Sequence, residues 1–148
     1  MTEITPALLT HQQYAARIST LSAHLDGILN AVPMSFAEMT LSKLPVQPGV
    51  YVIYTDEGGP TAPYYIGRTK NLSQRLYRNH LMGQLSNARL KKYLIDAGEC
   101  SDINGAKTFI RTRCHARWTI IAELRERFLA EGFLTATLQP KYGVYEEH

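Results

Sequence analysis

Long hydrophobic runs are missing. No apolar stretch of the 148-residue chain approaches the roughly 20 residues that a membrane-spanning helix needs, so no membrane segment is expected. Cysteine is scarce as well. Cys100 and Cys114 are too few for a disulfide framework and are not spaced as a metal knuckle, which fits a reducing, cytoplasmic setting. The first ten residues carry Glu3 and no Lys or Arg, so they lack the basic lead of a signal peptide. Repeats and low-complexity tracts are also absent. With 45% hydrophobic and 20% charged residues, the composition excludes disordered, collagen-like and rod-like chains. One globular domain with a short appendage is what remains.

Acid is what the sequence lacks locally. The net charge of +3 says little, but its distribution is uneven. Residues 68–92 hold Arg68, Lys70, Arg75, Arg78, Arg89, Lys91 and Lys92 with no Asp or Glu, a local charge of +7. Residues 1–48 sum to −1, 49–67 to −2, and 93–148 to −1. Tyr77, Asn71, Asn79, Asn87 and His80 are interleaved with the bases, side chains suited to phosphate and sugar contacts. The block reads as an anion-binding face rather than a solvated pair of helices.

The periodicities place these residues on elements. Tyr14, Ile18, Leu21, Leu25 and Ile28 recur at helical steps over residues 11–32, with a Thr10/Gln13 capping box before them and Pro33 after. Residues 49–55 are β-branched and aromatic and predict a strand. A turn-rich Asp56-Glu57-Gly58-Gly59-Pro60 and a returning strand over 63–67 complete a hairpin. Leu72, Leu76 and Leu81 predict a helix ending at Gly83, and a second helix runs from Ser86 to Gly98. A short helix over 102–113, a strand over 116–121, a long helix over 122–137 and an extended tail over 141–145 follow. The order predicts an α+β domain, a small mixed sheet with helices packed on it.

Gly49-Val50-Tyr51, followed fourteen residues later by Tyr65-Ile66-Gly67, resembles the paired signature of the GIY-YIG nucleases. Gly67-Arg68-Thr69-Lys70-Asn71-Leu72 and then Arg75 are similar to that family's glycine, short basic turn and arginine-bearing helix. Glu131, nine residues before Pro140-Lys141-Tyr142, is similar to its metal-binding glutamate and the proline run after it. The match covers roughly residues 45 to 145, and the order of its parts makes it specific.

The resemblance implies a three-stranded antiparallel sheet flanked by helices in residues 46–148, behind a helical extension of residues 1–45. It also implies metal-dependent endonuclease activity on DNA with a single Mg²⁺ or Mn²⁺. On that reading Glu131 holds the metal, Arg75 binds the scissile phosphate, and Tyr51 and Tyr65 activate or orient water. Tyr51 could act as a base only with a lowered pKa, since a free phenol titrates near 10. Arg68, Lys70, Arg78, Arg89, Lys91 and Lys92 are the expected nucleic-acid contacts. Strand alternation puts Tyr51 and Ile53 on one face, and Val50, Val52 and Tyr54 on the other.

Two positions depart from the pattern. The family commonly has His or Tyr four residues after the arginine, where this chain has Asn79, with His80 one residue later. On an ideal α-helix Arg75 and His80 would not share a face. Either the helix is unwound or bulged so that His80 swings in, or Asn79 or Tyr77 substitutes. The second departure is Gly143, where many members carry asparagine. The alternatives are a weakened domain that binds nucleic acid without cutting, and an interaction module that dimerises through residues 11–32. With so little chain to spare, sequence recognition would come from a homodimer or a separate partner.

Overall fold

The computed structural model describes residues 7–145, so the leader reading on residues 1–6 and the last three residues lie outside it. At its centre is β2 (Gly49–Thr55), buried along its whole length. Its alternating side chains feed two cores. Tyr51 and Ile53 join Phe36, Leu72, Leu76, Leu81, Leu90 and Leu94 on one face. Val50, Val52 and Tyr54 join Ile28, Ile121, Ala130 and Leu134 on the other.

A strand buried on both faces must be interior. β3 (Tyr65–Thr69) pairs antiparallel on one side and β4 (Cys114–Ile120) on the other. β3 starts two residues later than expected and runs on to Thr69. Pro63 has no N–H for the ladder, and the first cross-strand bond is Tyr64 N to Ile53 O, 2.8 Å.

The sheet has four strands rather than three. β1 (Met34–Ser35) pairs with β4 to give the order β1-β4-β2-β3, all antiparallel. Two residues are too short to leave a period in the sequence. Phe36, Met39 and Leu44, from the same segment, are buried in the first core.

α1 (His11–Leu29) begins with the Thr10/Gln13 capping box and ends three residues short of 32. There Asn30 folds its amide back onto Asp26 O, 2.9 Å. Arg117 Nη1 ties the helix end to the sheet through Leu29 O (2.6 Å). α2 (Leu90–Asp96) starts four residues after Ser86, which caps nothing. α3 (Ile103–Arg113) starts where Asp102 accepts from Gly105 N, 2.7 Å. α4 (Leu124–Leu138) is capped by Glu123 and stops at Gln139, whose φ of 50° is left-handed.

Among the described residues, no helix is long and apolar enough to cross a membrane. Both cysteines are free, and burial pushes the Cys114 thiol up to about 12, which leaves it inert at neutral pH.

Candidate active site

The site is assembled by the stretch after β3. Thr69 Oγ1 and Asn71 Oδ1 accept from Asn71 N and Gln74 N, turning the chain off the sheet into a helix. That helix, Gln74–Leu81, is a π-helix. Its wider winding carries hydrogen bonds back five residues rather than four, so Met82 N reaches Tyr77 O (3.0 Å). Arg75 and His80, five apart, therefore project together, and so do buried Leu76 and Leu81. Of the alternatives open in the sequence, the structure contains the rewound helix that brings His80 inward. Gly83 then turns the chain so tightly that a Cβ there would lie 2.7 Å from Arg78 O and Asn79 O.

Lys91 does not lie where the charge pattern put it. It is fully buried rather than on the phosphate-facing surface, and Nζ donates to Asn79 O (2.9 Å) and His80 O (2.6 Å). A side chain walled in by the first core cannot reach a nucleic acid. Instead it satisfies carbonyls at the end of the π-helix. Burial, with Lys107 adding to it, lowers its pKa to about 8.

A lysine whose folded pKa is depressed is protonated more in the unfolded chain between pH 8 and 10. Stability from this group therefore rises with pH across that window, which ends where unfolded tyrosines begin to ionise. The buried Cys114 thiol opposes this trend above about pH 9, so the reading is a difference: the urea-unfolding free energy of the wild type relative to Lys91→Met should rise between pH 8 and 10. Parallel pH profiles for the two proteins would refute the assignment.

Tyr51 reaches from β2 to the π-helix. Its hydroxyl is 2.7 Å from His80 Nε2, and Arg75 Nε donates to it at 3.1 Å. Arg75 Nη1 donates to Asn87 O (2.7 Å). The Tyr51 hydroxyl and His80 Nε2 share one hydrogen bond, and His80 Nδ1 has no partner among the described residues. Burial, Arg75 and Lys91 together hold His80 well below its ordinary pKa, so the ring is neutral.

Burial also raises Tyr51, and it outweighs Arg75. Arg75 alone does not give the lowered phenol pKa that a Tyr51 base requires, because the desolvation of a wholly enclosed ring exceeds the attraction of one guanidinium. Tyr65 stacks on Tyr51 with centroids 6.4 Å apart and meets His80 edge-on at 5.0 Å.

A cavity of about 420 Å³ lies against this cluster, lined by Tyr65, Arg68, Arg75, Tyr93, Glu131 and Tyr142, among others. Tyr51 and His80 stand behind its wall. α4 packs on β3 and brings Glu131 to Arg68, whose Nη1 lies 3.0 Å from Oε1. Burial raises the Glu131 pKa, with Arg68 opposing.

Glu131 is the only carboxylate lining the cavity, and no group of three or more His, Cys, Asp or Glu gathers among the described residues. That donor set fits a hard divalent cation that keeps water and takes substrate oxygens for most of its shell. It does not fit a thiolate- or imidazole-bound metal.

Of the other expected contacts, Arg68 and Lys70 border the cavity or its neighbour. Arg78 lines a separate groove with Leu41, Ser42 and Val46. Arg89 and Lys92 are exposed on α2 or just before it, and Lys92 lies 3.8 Å from Asp96. The far wall is the proline run read in the sequence, but the Glu99 contacts that hold it were missed by sequence reasoning. Glu99 accepts from Tyr64 and Tyr142, with Lys141 Nζ at 3.4 Å. Lys141 N and Tyr142 N bond Pro63 O and Tyr64 O (both 2.9 Å), so residues 140–145 form a strap along the cavity. Gly143 is part of that strap.

An α+β domain is thus defined in which an antiparallel sheet presents two tyrosines to a helix-borne arginine, histidine and glutamate. The chain is similar to the GIY-YIG N-terminal endonuclease domain of UvrC from Thermotoga maritima, whose crystal structure holds its catalytic magnesium. The two are 29% identical over 72% of this chain and 100% of that one, with a TM-score of 0.46. Two tyrosine-to-phenylalanine variants of the same domain, bound to the divalent cation, are 28% and 29% identical over 72% of this chain. They cover 100% and 99% of those chains, both with a TM-score of 0.46. No protein-family model and no curated protein matches the chain.

Proposed function

We propose that the protein is a divalent-metal-dependent endonuclease that hydrolyses DNA phosphodiester bonds. The observation that carries this reading is the convergence of Tyr65, Arg75 and Glu131 on one cavity, with the Tyr51–His80 pair directly behind it. Hydrolysis needs an oriented water, neutralised phosphoryl oxygens and a stabilised leaving oxygen.

Arg75 serves the phosphate. Two of its donors are committed to Tyr51 and Asn87, which fixes the plane of the guanidinium toward the cavity it lines. Tyr65 borders the cavity and orients the water. Tyr51, with no exposed surface, positions Arg75. Glu131 would hold Mg²⁺ or Mn²⁺ once Arg68 swings to a phosphate, and the ion supplies charge stabilisation at the leaving and non-bridging oxygens. Arg68 and Lys70 flank the strand, with Arg78, Arg89 and Lys92 further out.

A second reading, binding without cutting, draws on the Arg68–Glu131 bond, which occupies the carboxylate in question. Supercoiled-plasmid nicking separates the two. We expect conversion to open circles with Mg²⁺ or Mn²⁺ and none with EDTA. We also expect binding that weakens steeply with salt, as phosphate contacts dictate. Salt-dependent binding with no nicking by either ion would leave the second reading standing and remove the first.

A further inference from the structure

The cavity at Glu131 continues beyond it. Arg68 also lines two smaller cavities. One, of about 220 Å³, is polar and basic, with Lys70, Asn71, Gln74 and Asn79. The other, of about 230 Å³, runs between Arg68 and Lys70 toward Leu124. It opens beside an apolar ridge on α4. Leu124 is 66% exposed and Phe128, one turn on, is 57% exposed, with Glu131 following on the same helix face. The Arg68 guanidinium lies 4.9 Å from the centre of the Phe128 ring and 3.0 Å from Glu131. One side chain thus covers a face of the half-exposed Phe128 ring and holds the carboxylate of the active site, and both are released when Arg68 turns to a phosphate.

The two sides of Arg68 ask for different chemistry. Arg68 and Lys70 call for anions, and the phenylalanine face calls for a flat, uncharged partner. An apolar peptide would leave the cations unmatched, whereas a nucleic-acid strand supplies both at the spacing of a phosphate and its own base. In an intact duplex, base faces are covered by their neighbours. A base that has left the stack presents one.

We propose that Phe128, supported by Leu124, is a stacking platform for an unpaired base next to the scissile phosphate. The preferred substrate class is then DNA with a distorted or single-stranded position at the cut. The proposal rests on the nuclease reading and deepens it.

The test is fluorescence anisotropy with the full chain in EDTA. It compares a duplex carrying a short central bubble with a fully paired duplex of the same length. The wild type is expected to bind the bubble about 10-fold more tightly. Phe128→Ala should bring that ratio close to 1, and Phe128→Trp should keep it.

An unchanged ratio in Phe128→Ala, or its loss in Phe128→Trp, overturns the platform. So does a wild type that nicks plasmid but does not distinguish the two DNAs. If sedimentation shows wild-type dimers that Phe128→Ala abolishes, a second copy covers the ridge and the proposal falls. A wild type that neither binds DNA nor nicks it removes the nuclease reading itself.

Discussion

Replacing Arg75 with lysine should lower the single-turnover cleavage rate by about 10²–10³-fold, the range seen when one positioned transition-state donor is lost. DNA affinity at fixed salt should change by no more than about a few fold, because the charge is kept. The separation follows from what the guanidinium does at once. Nε holds the Tyr51 hydroxyl, Nη1 holds Asn87 O, and the group lines the cavity beside Tyr65. A lysine ammonium is a single point on a flexible stem. It cannot bond Tyr51 and Asn87 together and still face a phosphate. The same substitution frees the Tyr51 hydroxyl, so part of the loss is disorder in the Tyr51–His80 pair. Rate measured at saturating enzyme, beside anisotropy for binding, checks this. If rate and affinity fall by the same factor, Arg75 is one more phosphate contact.

Gly67→Ala should be among the most damaging one-methyl changes in the described residues. Gly67 sits opposite Tyr51 in the β2–β3 register, and the tyrosine ring crosses the space its side chain would fill. A Cβ there would overlap Tyr51 Oη and Cζ. The ring cannot retreat, because it is wholly enclosed and its hydroxyl is held by both His80 and Arg75. Overpacking costs about 1–3 kcal/mol. Displacing the hydroxyl leaves buried polar groups unpaired for about 1–3 kcal/mol more.

Gly49→Ala is the control. Its Cβ would overlap Thr119 O, a backbone atom of the β2–β4 ladder, so it should cost stability without dislodging the Tyr51 hydroxyl. Urea unfolding of Gly67→Ala, Tyr51→Phe and the double variant provides the measurement. The two losses should overlap strongly, since either change breaks the same hydrogen bonds. Strict additivity would mean that Gly67 does not act through Tyr51.

Why some of this is legible in the sequence and some is not becomes clear residue by residue. β2 announces itself because seven β-branched, aromatic and small residues stand between turn formers, and its alternation assigns Tyr51 and Ile53 to one face correctly. β1 does not, being two residues long. The Leu72, Leu76, Leu81 spacing contains the π-helix in plain view, four and then five, yet a helix read at 3.6 residues per turn separates Arg75 from His80 by 140°. Lys91 carries no local mark of burial. It reads as one more cation in an acid-free block, and only the fold gives its ammonium two carbonyls.

The sequence by itself determined the α+β class, the tyrosine-bearing hairpin, the order of the candidate residues and the excess of base between them. These are local properties, written in propensity, alternation and charge within about ten residues of each position. Tertiary structure alone decided how those residues combine. It put Glu131 against Arg68, sixty-three positions apart. It buried Tyr51 so deeply that desolvation raises its phenol pKa despite the neighbouring Arg75. It also wound the helix so that His80 arrives. Distances and desolvation depend on which surfaces pack together, and no single stretch of chain contains that information.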